Sequence, residues 1–175
     1  AARRVVISEE SDLALIETDS SPYPVDLNTV ADLRIGTYGY HVGYPQGRPG
    51  EAASRLMSRS NLITGGRRSN SENVLAWAET GRTEGLRGPL GGLSGGPVYD
   101  SLGQVRGVII AESPRRGRIY TASPEAVSDF IAAQDVDLIG ERPRPFTPDS
   151  YGQEADFARR KLQVVKVACR VGEAR

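Results

Sequence analysis

A run of glycines around a single serine constrains this chain more than any other stretch. Residues 91–98 read Gly-Gly-Leu-Ser-Gly-Gly-Pro-Val, and a turn-forming segment separates them from an apolar run at 105–111. The pattern predicts a strand, a tight turn and a buried strand. Glycines beside a serine let the backbone approach a bound group and let successive N–H groups point the same way, as oxyanion stabilisation requires. A plain glycine-rich hairpin loop is the alternative.

The composition excludes several classes of protein. The chain has 175 residues, enough for one domain with a sizeable core, and its 22 basic residues balance its 22 acidic ones, so no nucleic-acid partner is indicated. No apolar run approaches the ~20 residues of a membrane span. No metal-ligand cluster or phosphate-binding glycine motif is present, and we predict no cofactor. Twenty glycines and eleven prolines, many between apolar runs, favour an all-β fold.

The single cysteine, Cys169, cannot form a disulfide within the chain, so the fold must be stable without one. It lies in a tail of Val, Lys and Arg residues with no histidine near it in sequence. We interpret it as a small hydrophobic side chain on a packed face, not as a nucleophile.

The serine run, its turn and the following Gly-Val-Ile-Ile at 107–110 together resemble the nucleophile segment of the trypsin-like (chymotrypsin-fold) serine peptidases, nearest the bacterial branch without disulfides. The resemblance implies an all-β double barrel and a serine endopeptidase that acts through an acyl-enzyme. It makes Ser94 the nucleophile and the N–H groups of Gly92 and Ser94 the oxyanion donors. Leu93 stands where many zymogens of this family carry an aspartate, so activation through that ion pair is not expected.

Asp12 opens a second segment of interest, Asp-Leu-Ala-Leu-Ile at 12–16, which reads as the entrance to a strand. Taken alone, an aspartate before a strand is most often a turn or cap residue. The string resembles the segment that carries the triad aspartate of the trypsin-like peptidases. The resemblance therefore implies that Asp12 orients a catalytic imidazole.

The same resemblance divides the chain into four parts. They are a remnant of the first barrel at 1–17, an inter-barrel crossover at 18–34, a complete second barrel with the nucleophile and a closing helix at 35–134, and a linker with an amphipathic tail at 135–175. Strands are expected at 35–44, 55–64, 74–80 and 119–122, with a mobile polar loop at 65–73. Ser123-Pro124-Glu125 predicts the start of the closing helix, which runs to about Ala133.

The tail carries an apolar stripe at helical spacing. Its members are Tyr151, Ala155, Ala158, Leu162, Val165 and Cys169. The spacing predicts an amphipathic helix, with Arg159 and the other basic residues mostly off the stripe. The β-branched residues at 164–167 leave a strand at 162–167 as the alternative. We expect the tail to dock on the barrel; contact with a partner or a membrane surface through 151–170 is the other interpretation.

The only histidine, His41, lies in a strand pattern and follows Asp12, whereas the base precedes the aspartate in trypsin-like peptidases. We interpret it as a structural or solvent-facing strand residue; a triad in the order Asp, His, Ser is the alternative. The chain begins at Ala1 without an initiator Met and close to Asp12. We therefore expect the catalytic histidine upstream of this chain, a degenerate barrel being the other explanation. A serine without a base is inert, so the chain alone should not hydrolyse peptides efficiently.

Specificity is also implied by the resemblance. The floor of the primary pocket lies six residues before the nucleophile, at Gly88, which supplies no carboxylate to select Lys or Arg. Ala111, Glu112 and Ser113 match the strand that pairs with substrate, and Glu112 would place a charge near the cleft. We expect a polypeptide substrate with a small or apolar side chain, cleaved in the periplasm or cytoplasm of a bacterium. The rival hypothesis is a non-catalytic pseudoprotease that binds peptides or a partner; a viral polyprotein protease is a weaker one.

Overall fold

The computed structural model describes residues 2–19, 33–64, 70–134, 136 and 144–169. Within these ranges the chain forms a two-stranded hairpin, a closed six-stranded barrel and two helices. The strands are β1 (Ala2–Ile7), β2 (Ala14–Thr18), β3 (Tyr38–Gly43), β4 (Gly50–Thr64), β5 (Asn70–Arg82), β6 (Pro97–Tyr99), β7 (Val105–Ser113) and β8 (Arg118–Ala122). The helices are α1 (Pro124–Ala132) and α2 (Tyr151–Arg160). The all-β fold with a closed barrel is confirmed.

The barrel is antiparallel throughout, with the strand order β3-β4-β5-β8-β7-β6. It closes where β6 pairs with β3, through the partners Tyr40 with Tyr99 and His41 with Val98. Closure removes the free edge of β3 and β6 where these strands pair, while residues 56–64 of β4 extend beyond the pairing with β3. It also places the turn before β6, which contains the serine run, beside the end of β3.

The barrel interior is filled by inward-facing side chains of alternate strand positions, as period-2 alternation requires. Leu75 and Trp77 of β5 are fully buried, and the Trp77 indole N–H donates to Thr121 Oγ1 at 3.0 Å. A Cβ at Gly39 would lie 2.6 Å from the Trp77 ring. Glycine at this position of β3 therefore makes room for the largest side chain of the core.

The hairpin β1–β2 packs on the rest of the fold through its turn. Leu13 is buried against Ala122 and Val127, at the start of α1. Ser123 caps that helix as predicted, its Oγ accepting from the Ala126 N–H at 3.1 Å. The division of 1–34 into a barrel remnant and a crossover stays a prediction, since residues 20–32 lie outside the described ranges. So do 65–69 of the expected mobile loop, and 135 and 137–143 of the linker. The rest of that expected loop, residues 70–73, is not a loop but the start of β5.

The tail docks on the outside of the barrel through stacked aromatic rings. Phe146 lies between Tyr40 and Tyr99, with ring centroids 5.6 and 4.7 Å away, and Tyr151 stacks on Tyr40 at 5.6 Å. Ala155 of α2 is buried in the same cluster. The expected docking role is consistent with this packing.

The helical tail is confirmed over Tyr151–Arg160, and the stripe beyond it is not helical. Leu162 adopts a left-handed φ of 57°, and residues 165–169 are exposed. β-Branched valines and a left-handed residue both disfavour further helix. The interpretation of Cys169 as a packed hydrophobe is wrong, because its side chain is exposed.

Arg159 was predicted to lie off the apolar stripe, yet it is buried. Its Nη2 donates to Glu51 Oε2 and to the Gly50 carbonyl, each at 2.6 Å, and its Nε donates to the Gly43 carbonyl at 3.3 Å. Both charged side chains of the pair are less than a tenth exposed. A long basic side chain is therefore buried in the contact between α2 and the barrel, because a carboxylate and two carbonyls accept its hydrogen bonds there.

Replacing Arg159 with Met should lower the free energy of unfolding by about 3 kcal/mol, because the Glu51 carboxylate would remain buried without its counter-charge. Urea unfolding at neutral pH measures the loss. Arg160→Met, at the exposed neighbouring position, is the control and should change stability by less than about 0.5 kcal/mol. Equal losses for the two variants would contradict the role of the buried pair.

Candidate active site

Ser94 lies on an exposed turn that leads into β6. The turn is defined by the bonds Leu93 N–H to Leu90 carbonyl at 3.0 Å and Gly96 N–H to Leu93 carbonyl at 2.8 Å. It is tied to β7 by the Gly95 N–H, which donates to the Ile109 carbonyl at 2.7 Å. The serine side chain therefore projects from a backbone that is fixed on both sides.

Leu93 anchors this turn in the barrel. Its side chain is 2% exposed and packs with the core cluster that contains Trp77 and Ile109. A Cβ at Gly43 would lie 2.9 Å from Leu93 Cδ2, so the end of β3 must be glycine for the leucine to enter. A buried leucine contributes about 2 kcal/mol by removal from water. Apolar burial here occupies the position where the related zymogens carry an aspartate.

Gly92 is required by its own backbone. It has a φ of +100°, and a Cβ there would lie 2.5 Å from the Tyr44 carbonyl oxygen. Within the described part of the chain, the N–H groups of Gly92 and Ser94 have no hydrogen-bond acceptor. These are the two donors that the resemblance assigns to the oxyanion, and neither one donates to an acceptor in the described residues.

Gln46 holds the segment before the turn with three hydrogen bonds. Its side-chain Nε2 donates to the Arg87 carbonyl at 2.6 Å and to the Pro89 carbonyl at 3.0 Å, and its main-chain N–H donates to the Gly91 carbonyl at 2.6 Å. Its φ of 53° is unusual for a residue with a side chain. Strain of this kind persists where the surroundings impose it, here by the three bonds. No local sequence pattern marks this residue, because its partners lie more than forty positions away.

A small cavity of about 20 Å³ opens beside Ser94 and is lined by Leu90, Ala111 and Glu112 among others. Both carboxylate oxygens of Glu112 accept from the Leu90 N–H at 2.9 Å. The negative charge that was expected near the cleft is therefore present and bound to the backbone. The cavity is large enough for little more than one water molecule.

Two of the expected pocket residues lie outside this cavity. Gly88 is exposed, and its carbonyl accepts from Arg82 Nη1 at 2.7 Å. The Arg82 guanidinium also pairs with Glu79, which raises the pKa of Arg82. Ser113 ends β7 and precedes a short 3₁₀ turn. The structure thus places Ser94, Ala111 and Glu112 in the lining of one cavity, with Gly92 on the same turn as Ser94. The roles of these four residues, like those of Gly88 and Ser113, stay predictions.

A second cavity, of about 530 Å³, also reaches Ser94. One wall is the nucleophile turn with Gly43 and Tyr44, and the opposite wall is the extended segment Gln163–Val167 of the tail. Tail residues were not predicted near the nucleophile, because stripe periodicity carries no information on where a tail is placed.

Asp12 lies on the turn between β1 and β2, with an exposed side chain. Its main-chain N–H donates to Glu72 Oε2 at 3.2 Å, and it lines neither cavity that contains Ser94. The pKa of Glu72 is raised, first by burial and also by the negative charge of Asp12. The triad role of Asp12 stays a prediction.

His41 is completely buried in β3. Its Nε2 lies 2.7 Å from Ser54 Oγ, and Ser54 in turn donates to the Gly39 carbonyl at 3.1 Å. The hydroxyl proton is therefore used, so Nε2–H is the donor and Nδ1 is the unprotonated nitrogen. Burial lowers the pKa of His41 to about 3. The only histidine of the chain is structural and lies outside both cavities.

Among the described residues, no three His, Cys, Asp or Glu side chains converge as a metal site would need. No helix in those ranges is long and apolar enough to cross a membrane.

Comparison with known protein families identifies the class of this barrel domain. The family model "Trypsin-like peptidase domain" matches residues 1–108. The chain belongs to this family. No curated protein matches the sequence significantly.

Solved structures of proteases share the fold. The active form of the Rv3671c protease from M. tuberculosis gives a TM-score of 0.52 at 19% identity, covering 75% of this chain and 54% of that one. Its inactive form gives 0.55 at 20% identity, covering 75% and 66%. The MamO protease domain from Magnetospirillum magneticum gives 0.52 at 18% identity, covering 77% and 67%. The chain thus spans about half to two thirds of these structures, and likeness at such identity establishes the fold alone.

The pH dependence of stability should report the buried His41. Its pKa is about 3 in the fold and 6.5 in the unfolded chain, so the unfolded state binds the proton first as the pH falls. This contribution is complete above pH 6.5 and is lost between pH 6.5 and 3, by on the order of 4 to 5 kcal/mol. His41→Gln keeps a donor for Ser54 without titrating. Urea unfolding from pH 7 to 4 should give a flatter curve for this variant; parallel curves would contradict the assignment.

Gln46→Glu should loosen the segment before the nucleophile, because a carboxylate of the same shape cannot donate to the Arg87 and Pro89 carbonyls. We expect a loss of about 1 to 2 kcal/mol of local stability, seen as roughly tenfold faster amide hydrogen exchange over residues 87–91. Gln153→Glu, at an exposed position of α2, is the control. Unchanged exchange in Gln46→Glu would show that the side-chain bonds do not hold the loop.

Proposed function

We propose that this chain is the nucleophile-bearing part of a serine endopeptidase of trypsin-like type. The observation that carries the proposal is the turn at Ser94. An exposed hydroxyl stands on a backbone fixed by the buried Leu93, and the two neighbouring N–H groups have no acceptor within the described chain. Membership of the trypsin-like peptidase domain family supports the same chemistry.

In the proposed reaction Ser94 Oγ attacks the scissile carbonyl carbon and gives its proton to a histidine that this chain does not contain. The carbonyl oxygen becomes an oxyanion, which accepts from the Gly92 and Ser94 N–H groups. Collapse breaks the C–N bond, and the leaving amine takes the proton from the imidazolium. Water then attacks the acyl-enzyme by the same steps and releases the acid. Asp12 would accept from the other imidazole nitrogen and hold its tautomer.

The proposed substrate is a polypeptide with a small side chain before the scissile bond. The cavity on the β7 side of Ser94 holds about 20 Å³. Its one carboxylate, Glu112, already accepts from the Leu90 N–H with both oxygens, which makes it less available to a substrate cation. A pocket of this size and charge favours small, uncharged side chains over Lys or Arg.

A second candidate function is peptide binding without catalysis. The observation that favours it is His41, whose burial holds the ring neutral and away from Ser94. Unless a base is supplied by residues beyond this chain, the site can bind a carbonyl but cannot activate the serine.

Labelling with a fluorophosphonate discriminates the two functions. The full-length protein that contains this chain should be labelled, and Ser94→Ala should abolish the labelling. Labelling of neither protein would favour the pseudoprotease.

A matched pair of glycine variants tests the oxyanion donors. Gly92→Ala must strain a φ of +100° and collide with the Tyr44 carbonyl, whereas a Cβ at Gly91 meets no heavy atom within 4 Å. Gly92→Ala should slow labelling by about 10²- to 10³-fold, as loss of one oxyanion donor does. Gly91→Ala should stay within about threefold of the parent, since nothing there is displaced. Equal rates for both variants would contradict the assignment.

A further inference from the structure

The tail segment Gln163–Val167 lies across a 530 Å³ cavity from the nucleophile turn. It follows α2, belongs to no barrel strand, and lies beyond the residues 1–108 that the family model covers. Family membership therefore assigns it no role. Its position beside Ser94 nevertheless makes it part of the surface that a bound polypeptide would meet.

The segment is held in place by contacts on the barrel. Val164 is 5% exposed and packs in the aromatic cluster with Tyr40 and Phe146. Lys166 Nζ donates to the Gly47 carbonyl at 3.2 Å, at the rim of the cavity. The buried Arg159 fixes the helix from which the segment emerges. The segment is thus attached to the barrel at Val164 and at Lys166, and the helix before it is attached at Arg159.

Two valines of the segment remain largely exposed to solvent. Val165 and Val167 are 55% and 61% exposed, although they line the cavity beside Ser94. Two exposed β-branched side chains on one short segment, next to a nucleophile, are a surface that a ligand would remove from water. Lys166 between them uses one donor on Gly47 and can offer others to an acidic group.

Both cavities reach Ser94, and their linings share Leu93 and Ser94. The smaller cavity, near Ala111 and Glu112, is about the size of one water molecule, so only the smallest side chains suit it. The larger cavity has room for an extended peptide. The two halves of a peptide whose carbonyl carbon is held at Ser94 must leave that carbon in different directions. If the half before the scissile bond uses the smaller cavity, the half after it enters the larger one.

We infer that Gln163–Val167 forms the wall of the subsite that receives the leaving-group half of a polypeptide substrate. Val165 and Val167 favour an apolar side chain there, and Lys166 favours an acidic one. This inference rests on the proposed function for the direction of the substrate. The chemistry of the wall itself can be measured without catalysis.

Disulfide capture at the nucleophile position measures it. The protein carries Ser94→Cys to supply the thiol and Cys169→Ser to remove the exposed native one. It is equilibrated under reductant with cysteamine disulfides bearing isovaleryl, succinyl or hydroxyacetyl groups, and intact mass gives the captured fraction. The isovaleryl and succinyl groups should be captured about three- to tenfold more tightly than the hydroxyacetyl group.

Tail variants then assign the preference. Val165→Ser should remove the isovaleryl advantage, and Lys166→Glu should remove the succinyl advantage. The controls are Val5→Ser, a valine of equal 55% exposure on β1, and Lys161→Glu at the end of α2. Both controls should leave capture unchanged. Val167→Ser repeats the test if Val165→Ser fails to fold.

Equal capture of the three groups, or the same capture in tail variants and controls, would overturn the inference. Because the thiol needs no histidine, this result is independent of fluorophosphonate labelling. Capture with the expected preference but no labelling would leave the wall in place and reject the peptidase. Labelling without the capture preference would support the peptidase and reject the wall.

Discussion

The structure depends on the close approach of two backbone segments, the end of β3 with its turn and the nucleophile turn. Gly43 admits Leu93, Gly92 lies against the Tyr44 carbonyl, and Gln46 donates to the Gly91 carbonyl. Each contact is too short for a Cβ or relies on a main-chain donor, so the glycines act as spacers rather than as hinges. The barrel supplies the rest, because closure of β6 on β3 brings the two segments together.

The charged side chains around this contact are committed to backbone groups rather than left open to solvent. Glu112 accepts from the Leu90 N–H, Arg82 donates to the Gly88 carbonyl, and Arg159 donates to the Gly43 carbonyl. Hydrogen bonds to charged groups are stronger than neutral ones. The loops that frame Ser94 are therefore held without disulfides. Because these three side chains already bind backbone groups, they are less available to a ligand at the site.

The fold and the serine turn could be predicted because they are local. Alternation along the strands, the Ser123 cap and the glycine run are each encoded within a few neighbouring residues. Arg159, Gln46 and the wall at 163–167 could not be predicted, because their partners lie far away in sequence. Helical spacing shows which face of α2 is apolar. It does not show that Glu51 and two carbonyls of the barrel accept hydrogen bonds from Arg159. Asp12 is a different case, since the partner that would define its role is not in this chain.

The use of leucine at position 93 has a consequence for how the site is assembled. An ion pair would make the turn depend on pH and on the presence of a counter-charge, whereas an apolar anchor depends only on removal from water. Burial of Leu93 in the barrel core is a property of the barrel alone. The turn that carries the Gly92 and Ser94 N–H groups is therefore positioned by the barrel alone. Because no base takes part in that arrangement, loss of the base from the proposed reaction would leave the turn unchanged.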